Sequence, residues 1–235
     1  MNDAGPVTRA LRNLVHDGGG GEALAAGICC ASVDGLGVTG AALSMCLPQI
    51  APAHEVLYAT NATAAHLEEL QYTLGEGPSL QALATGRPVL APDLRDGADA
   101  WPILLSELRQ HASVGALFGL PLRWGVIDLG ALCLYRTTAG ALAGAQLRDL
   151  LVAVDLAAVL LLGARTDLGD GQWLDQLVRG RAEIHQATGM MVVQLGASAL
   201  DAFARLRAHA YAERLPLAEV AHQVVTRRLR FTADT

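Results

Sequence analysis

Arginine and tyrosine side chains recur at helical spacing near the C-terminal end of the chain. Arg207, Tyr211 and Arg214 are separated by four and three residues, so they fall on one stripe of a helix, away from the face of Phe203 and Leu206. Two guanidinium groups that flank an aromatic ring can contact phosphates and stack on an unpaired base, as proteins that read single-stranded RNA do. The same pattern is typical of a solvated helix face. The stripe is a candidate RNA contact.

Further arginines lie on both sides of this stripe. Arg205 follows Asp201 by four residues, a spacing at which the two side chains can also pair along a helix. Arg227, Arg228 and Arg230 are predicted to end the last helix, where positive charge also interacts favourably with the helix dipole. These residues extend the candidate set but have ordinary structural explanations as well.

Charge is distributed unevenly along the 235 residues. The formal net charge is −6, but residues 179–235 contain eight Arg and five acidic residues, a net charge of +3. Residues 1–178 contain nine Arg and 18 acidic residues, a net charge of −9. The C-terminal part is therefore the better candidate for binding a polyanion. Hydrophobic residues make up 52 % of the chain, which excludes a wholly disordered protein.

Three glycines, Gly35, Gly37 and Gly40, match the GxGxxG pattern of dinucleotide-binding sites. Glu55 stands about where such a site places the acid that binds the ribose. However, Pro48 interrupts the chain soon after the glycines, so no helix long enough to cross over a sheet can follow them. We therefore predict a glycine-rich turn that leads into a strand.

Other patterns of reactive residues are incomplete. The sequence Gly77-Pro78-Ser79 lacks the second glycine of a nucleophile elbow, so Ser79 is predicted to cap a short helix. The cysteines lack CxxC spacing and are predicted to be buried thiols; they are Cys29, Cys30, Cys46 and Cys133. The seven His residues show no metal-binding spacing. We predict no catalytic residue, no metal site and no cofactor.

Three short helices are predicted to position the C-terminal arginines. A seam with alternating steps of three and four residues runs along the first, through Leu174, Leu177, Arg181, Ile184, Thr188, Met191 and Leu195. Gly196 ends this helix, and Ser198 with Asp201 forms a capping-box pattern that starts the second. Pro216 suits the first position of the third helix. The three amphipathic helices are expected to form a small bundle.

The run from Arg181 to Phe231 resembles the ANTAR domain, a module of bacterial transcription antiterminators that binds RNA. The resemblance is carried by Ala187, Gly189, Met190, Gly196, Ser198, Ala202, Leu206, Leu217, Val220 and Ala221. It implies a dimer that binds paired RNA stem-loops and prevents a downstream terminator from forming. Many members of the family carry Lys before the glycine, where this chain has Thr188. The candidate RNA-binding residues are then Arg181, Thr188, Arg205, Arg207, Tyr211, Arg214, Arg227, Arg228 and Arg230.

Helices and strands alternate irregularly in the preceding part of the chain. The predicted helices are 7–15, 22–33, 64–74, a short one ending at Thr85, 103–111 and 145–164. The predicted strands are 41–46, 55–60, 88–91, 116–122 and 128–135. The tight return between the last two strands favours an antiparallel α+β sheet over repeated βαβ units.

This part resembles a GAF domain, of the kind that precedes ANTAR in actinobacterial regulators. The resemblance is carried by residues 67–94, 101–102, 117–123 and 129–136. It implies a six-stranded antiparallel sheet flanked by helices, which acts as a sensory or dimerising module; its ligand, if any, is not specified. The expected organisation is 1–21 N-terminal helix and Gly-rich linker, 22–165 GAF-like domain, 166–172 linker, 173–231 ANTAR domain and 232–235 tail.

The sequence thus favours a non-enzymatic, homodimeric regulator that binds structured leader RNA to promote antitermination, under control of a small-molecule or protein signal. We expect it in the cytoplasm, because the apolar run 24–33 is too short to span a membrane and no signal peptide is indicated. One alternative is a DNA-binding helix-turn-helix regulator built from the second and third C-terminal helices. Another is a small-molecule-binding GAF protein whose C-terminal bundle only mediates dimerisation.

Overall fold

The protein is described by a computed structural model that covers residues 4–17, 21–47, 53–95, 100–111, 113–125, 127–167 and 172–232. The chain divides near residue 170 into two compact units. The predicted linker 166–172 is helical at residues 166, 167 and 172, and its remaining residues lie outside the described ranges.

An antiparallel sheet forms the centre of the first unit. Its strands are β1 (Gly40–Leu47), β2 (Ala53–Ala59), β3 (Val89–Ala91), β4 (Ala116–Trp124) and β5 (Ile127–Arg136). Their order across the sheet is β2-β1-β5-β4-β3. The pairs β1–β5, β4–β5 and β3–β4 are antiparallel, which confirms the predicted α+β class. Within the described residues the sheet has five strands, whereas the GAF resemblance implied six.

Both faces of this sheet are covered by helices. One face packs against α2 (Gly21–Leu36) and α6 (Gly144–Asp167), and α1 (Pro6–Asp17) packs on these two helices. The other face packs against α3 (Ala62–Leu74) and α4 (Pro78–Thr85), and α5 (Pro102–His111) packs on α3. Successive side chains of β4 alternate between the two cores: Phe118 joins the first and Leu117 the second. Because both faces are buried, the central strands are apolar along most of their length.

The glycine-rich segment before β1 is a turn, as predicted. Helix α2 ends at Leu36, and Gly37 adopts a positive φ of 60°, which favours glycine. The chain then enters β1 at Gly40. An added Cβ at Gly40 would lie 2.5 Å from the side-chain nitrogen of Asn61, so this position is closely packed. A dinucleotide site would require a helix to begin at this loop, and here the loop leads into a strand instead.

The prediction that Ser79 caps a helix is wrong. Gly77 is the N-cap of α4, and Pro78 occupies the first turn, where its missing N–H is not needed. The Ser79 side chain is fully buried, and its Oγ donates a hydrogen bond to Glu68 Oε1 at 2.5 Å. Ser79 therefore ties α4 to α3 instead of capping its own helix.

Three helices form the second unit: α7 (Gln172–Leu195), α8 (Ala199–Glu213) and α9 (Leu217–Val225). Gly196, with φ of 61°, ends α7, and the Ser198 side chain accepts the Asp201 backbone N–H at the start of α8. Arg214 ends α8 in the left-handed conformation. Pro216 was predicted to be the first residue of α9. It is instead the N-cap, because its ψ of 140° is extended and not helical.

The predicted inward faces of these helices form the core of the second unit. The buried residues include Ile184, Ala187, Met191, Ala202, Phe203, Leu206, Ala210, Leu217, Val220, Ala221 and Val224. In the described part of the chain no single helix is long and apolar enough to cross a membrane. One bent pair, residues 183–195 with 199–213, meets that test by length and composition only.

Candidate nucleic-acid interface

The segment that follows α9 carries three of the predicted arginines. Arg227, Arg228 and Arg230 were expected to end the last helix, but α9 stops at Val225 and these residues come after it. Arg227 has a positive φ of 61°, which turns the chain out of the helical path. All three arginines are exposed.

Hydrogen bonds and one aromatic contact fix this segment to the bundle. The backbone N–H groups of Arg228 and Leu229 both donate to the carbonyl oxygen of Gln223, at 2.8 and 3.0 Å. The Phe231 N–H donates to Gln194 Oε1 at 3.1 Å. The buried Phe231 ring meets the His209 ring edge-on, with 5.2 Å between the centroids. Residues 226–231 are thereby held against α7 and α8.

An open groove lies between this segment and α7; we call it the α7 groove. Its volume is about 680 Å³, and it is lined by Gln186, Gly189, Met190, Val193, Gln194, Arg227, Leu229 and Arg230. The Val193 side chain is 83 % exposed although it is apolar. Nothing lies within 4 Å of where a Cβ at Gly189 would be, so the backbone there is open to a ligand. The groove thus combines apolar surface with two guanidinium groups.

Such a surface has a definite chemical preference. Arginine binds phosphate through its planar set of N–H donors and also stacks on flat rings. Apolar side chains such as Met190 and Val193 can contact the face of an unstacked base. The α7 groove can therefore accept a base that has been turned out of a loop, with neighbouring phosphates near the arginines.

The structure separates the remaining candidates on α8 into two groups. Arg205 lies one turn before His209 and so shares its flank of the helix, which is the flank that meets Phe231. Arg207 and Tyr211 are each two residues from His209, so they lie on the opposite flank. The nine candidates predicted from the sequence therefore do not form one continuous surface.

The second group has a neighbour that was not expected. The Arg207 guanidinium carbon lies 5.2 Å from the centroid of the Phe203 ring, a cation–π distance, although the stripe was predicted to avoid that face. Tyr211 and Arg214 are exposed. Arg205 is also exposed and makes no ion pair with Asp201, whose carboxylate instead accepts from the Ser198 hydroxyl at 2.7 Å.

Two predicted contacts on α7 receive no support. Thr188 is only 8 % exposed, and its hydroxyl donates to the Ile184 carbonyl oxygen at 2.7 Å. Its side chain is therefore part of the bundle interior and is not presented to RNA. The side chain of Arg181 lies outside the described part of the structure. Close to these residues, Nδ1 of His222 lies 3.1 Å from a carboxylate oxygen of Glu183 and links α9 to α7.

Sequence reasoning missed the α7 half of the groove. Gln186, Gly189 and Val193 recur at steps of three and four on the face of α7 opposite its buried seam. An exposed valine on this face was the available signal. The opposite wall, formed by Arg227, Leu229 and Arg230, could not be predicted, because it depends on how the chain after α9 folds back against α7.

A second group of buried polar side chains lies inside the first unit. Glu68, Gln71 and Ser79 are all fully buried. Gln71 Nε2 donates to Glu68 Oε1 at 3.3 Å, and Gln71 Oε1 accepts the Ser79 N–H at 2.9 Å. Burial raises the pKa of the adjacent Cys133 thiol. Among the described residues no group of three or more His, Cys, Asp or Glu is placed to hold a metal ion.

The helices of the second unit coincide with a known domain. Residues 174–225 match the ANTAR domain family. The match ends just before the arginine-rich segment that closes the α7 groove. A comparison of the chain with curated proteins gives no match.

The first unit has the fold of GAF domains in solved structures. The GAF domain of an Acinetobacter phosphoenolpyruvate-protein phosphotransferase is 10 % identical, with a TM-score of 0.54, and the match covers 68 % of this chain and 93 % of that chain. The corresponding domain from Coxiella burnetii is 15 % identical, with a TM-score of 0.53 and the same coverage.

A phycoerythrobilin-bound GAF domain from a cyanobacterial phytochrome is 12 % identical, with a TM-score of 0.51, and covers 68 % of this chain and 95 % of that chain. At these identities the similarity shows the fold alone. The chain thus combines a GAF-fold unit with an ANTAR domain.

Proposed function

We propose that this protein is a cytoplasmic, non-enzymatic regulator that binds structured leader RNA and promotes transcription antitermination. The observation that carries the proposal is the ANTAR match over residues 174–225, next to an apolar groove with arginines along its rim. The order of a GAF unit before an ANTAR domain, which the sequence resemblance attributes to actinobacterial regulators, supports the same function.

In this proposal the α7 groove takes an unpaired base from an RNA loop. Arg227 and Arg230 contact phosphates on the groove side, and Arg205 extends the positive surface along α8. The protein acts as a homodimer, so that each copy holds one of two paired stem-loops. Binding energy then stabilises the RNA conformer that contains both stem-loops over the conformer that contains the terminator. At saturating protein, the ratio of the two RNA conformers changes by the ratio of the affinities of the protein for them.

The GAF unit receives a small-molecule or protein signal in this scheme. It is not expected to catalyse a reaction. Ser79, the one residue with a resemblance to a catalytic motif, is fully buried and hydrogen-bonded to Glu68, so its hydroxyl has no access to a substrate. The polar group around Glu68 then serves to join α3, α4 and β5.

A binding titration across a salt series tests the proposal. The full-length protein is titrated with a tandem stem-loop RNA, the same RNA with scrambled loops, and a DNA duplex of equal charge. If each copy neutralises about four phosphates, log K falls with log salt at a slope near −3 per copy. The double variant Arg227→Ala/Arg230→Ala should flatten the slope by about 1.4 and weaken binding.

The matched control is Arg87→Ala, which removes an exposed arginine from the first unit and should leave the slope unchanged. Preferred binding of the duplex DNA would favour the helix-turn-helix alternative. Absence of binding to all three nucleic acids would favour the other alternative, in which the C-terminal bundle only mediates dimerisation.

A further inference from the structure

Helix α6 carries an exposed row of residues that the first unit does not cover. Ala145, Arg148, Val152, Asp155 and Val159 recur at steps of three and four, and all five are exposed; we call this row the α6 seam. Such spacing is typical of a helix that packs lengthwise against a second helix. The opposite side of α6 is buried in the core of the first unit.

The apolar members of the α6 seam are unusually accessible. The Val152 side chain is 53 % exposed and Val159 is 41 % exposed, and the neighbouring Leu151 adds to the same surface. The seam extends over about 21 Å at 1.5 Å per residue. Exposed valines in a regular row indicate a partner surface more than isolated apolar residues do.

The α6 seam carries one charge on each side of its centre. Arg148 lies four residues before Val152 and Asp155 three residues after it. They are about 10 Å apart along the helix axis, which is too far for a pair with each other. Neither residue forms an ion pair with another part of the described chain. Each is available to a partner of opposite charge.

We infer that the α6 seam is the homodimer interface, and that the two α6 helices pack antiparallel about a two-fold axis at Val152. In this arrangement Arg148 faces Asp155 of the second copy, and the reciprocal pair forms on the other side. Ala145 and Val159 lie seven residues on either side of Val152, so each faces the other across the interface. The small alanine leaves room for the valine.

Charge decides the direction of packing. In a parallel pair of α6 helices, Arg148 would lie opposite Arg148 of the second copy, and Asp155 opposite Asp155 of the second copy. Like charges would then meet at both positions. The antiparallel pair converts both contacts into opposite-charge pairs. Arg12 of α1 and the carboxylate of Asp149 line the same hollow of about 500 Å³ as Arg148 and Val152. The Asp149 carboxylate is buried and bonded to Val7 and Thr8, so the two exposed arginines dominate the surface that receives Asp155 of the second copy.

This inference specifies the homodimer of the proposed function and rests on it for the existence of a dimer. Cysteine cross-linking of the full-length protein in a Cys30→Ser background tests the geometry. Val152→Cys should form a disulfide-linked dimer under mild oxidation. In a dimer of Ala145→Cys alone, or of Val159→Cys alone, the two cysteines would lie about 21 Å apart along the helix axis, so each variant should cross-link poorly by itself. A mixture of the two variants should cross-link, because residue 145 of one copy faces residue 159 of the other.

A charge exchange tests the same surface without cross-linking. Arg148→Asp and Asp155→Arg should each weaken dimerisation about tenfold in sedimentation equilibrium, and the double variant should recover to within about threefold. Circular dichroism checks that all variants fold. A dimer in which Ala145→Cys cross-links to itself, or in which the charge changes have no effect, would overturn the inference alone. A monomeric wild-type protein would overturn both the inference and the proposed homodimer, and the RNA titration remains independent of either result.

Discussion

Asp149 of α6 holds the start of α1, and its replacement by alanine should destabilise the first unit. Asp149 Oδ2 accepts the Val7 N–H at 2.8 Å, and Oδ1 accepts the Thr8 N–H at 3.2 Å and the Thr8 hydroxyl at 2.6 Å. Both Asp149 and Thr8 are buried. A Cβ added to Gly5 would lie 2.2 Å from the Asp149 carboxyl carbon, so glycine is required for this close approach.

The expected cost combines two losses. Asp149→Ala removes a helix cap, which typically costs about 0.5–2 kcal/mol. The buried Thr8 hydroxyl also loses its bond to the charged carboxylate and keeps only the backbone carbonyl oxygen of residue 149, at 3.2 Å; a hydrogen bond to a charged group contributes about 1.5–3 kcal/mol. We expect the free energy of unfolding to fall by about 2–4 kcal/mol, a large share of the stability of a typical domain.

Urea denaturation followed by tryptophan fluorescence measures this change, because Trp101 and Trp124 both lie in the first unit. A double-mutant cycle of Asp149→Ala with Thr8→Ala should show a coupling of about 1 kcal/mol or more. Asp34→Ala, which removes an exposed acid from α2, should change stability by less than about 0.5 kcal/mol. The reasoning is refuted if Asp149→Ala unfolds at the same urea concentration as Asp34→Ala.

Two further predictions concern packing and thiol reactivity. Gly119→Ala would place a Cβ 2.3 Å from the backbone oxygen of Pro78 in α4, so it should lower the free energy of unfolding by about 1–3 kcal/mol. At Gly163 of α6 an added Cβ meets open space, so Gly163→Ala should raise the free energy of unfolding by about 0.5–1 kcal/mol. Urea denaturation measures both changes. Burial raises the pKa of the Cys29 and Cys133 thiols, so they stay protonated at pH 8, whereas Cys30 is exposed. Iodoacetamide at pH 8 should modify Cys30 well before the other two by peptide mass spectrometry, and rapid labelling of Cys133 in the folded protein would contradict the structure.

Local sequence signals were sufficient for most of the fold. Apolar periodicity located the helices, and the strand runs reappear as β1 to β5 with small shifts at their ends. Glycine and proline positions marked the ends of elements for clear steric reasons: Gly37 and Gly196 both require positive φ. These features depend on interactions within a few residues of each other.

Features that depend on distant contacts could not be predicted in the same way. Ser79 and Glu68 are on different helices, so no local pattern indicated their hydrogen bond. The α7 groove exists because Phe231 reaches Gln194, 37 residues earlier in the chain. Polar residue type was also an unreliable indicator at Thr188, because a threonine hydroxyl can satisfy its hydrogen bond on the preceding turn of its own helix.

Loop recognition by the α7 groove is the central claim, and one substitution tests it most directly. Val193→Asp places a negative charge in the groove at a side chain that is 83 % exposed, so folding should be unaffected. Leu200→Asp is the matched control, because Leu200 is 74 % exposed and does not line the groove.

The measurement is the ratio of affinities for the tandem stem-loop RNA with intact and with scrambled loops. We predict that Leu200→Asp keeps the preference of the wild-type protein for intact loops. Val193→Asp should lose at least about tenfold of that preference, since stacking of one base contributes about 1–3 kcal/mol. An unchanged preference in Val193→Asp, or no preference in the wild-type protein, would contradict the proposal that this groove reads an RNA loop.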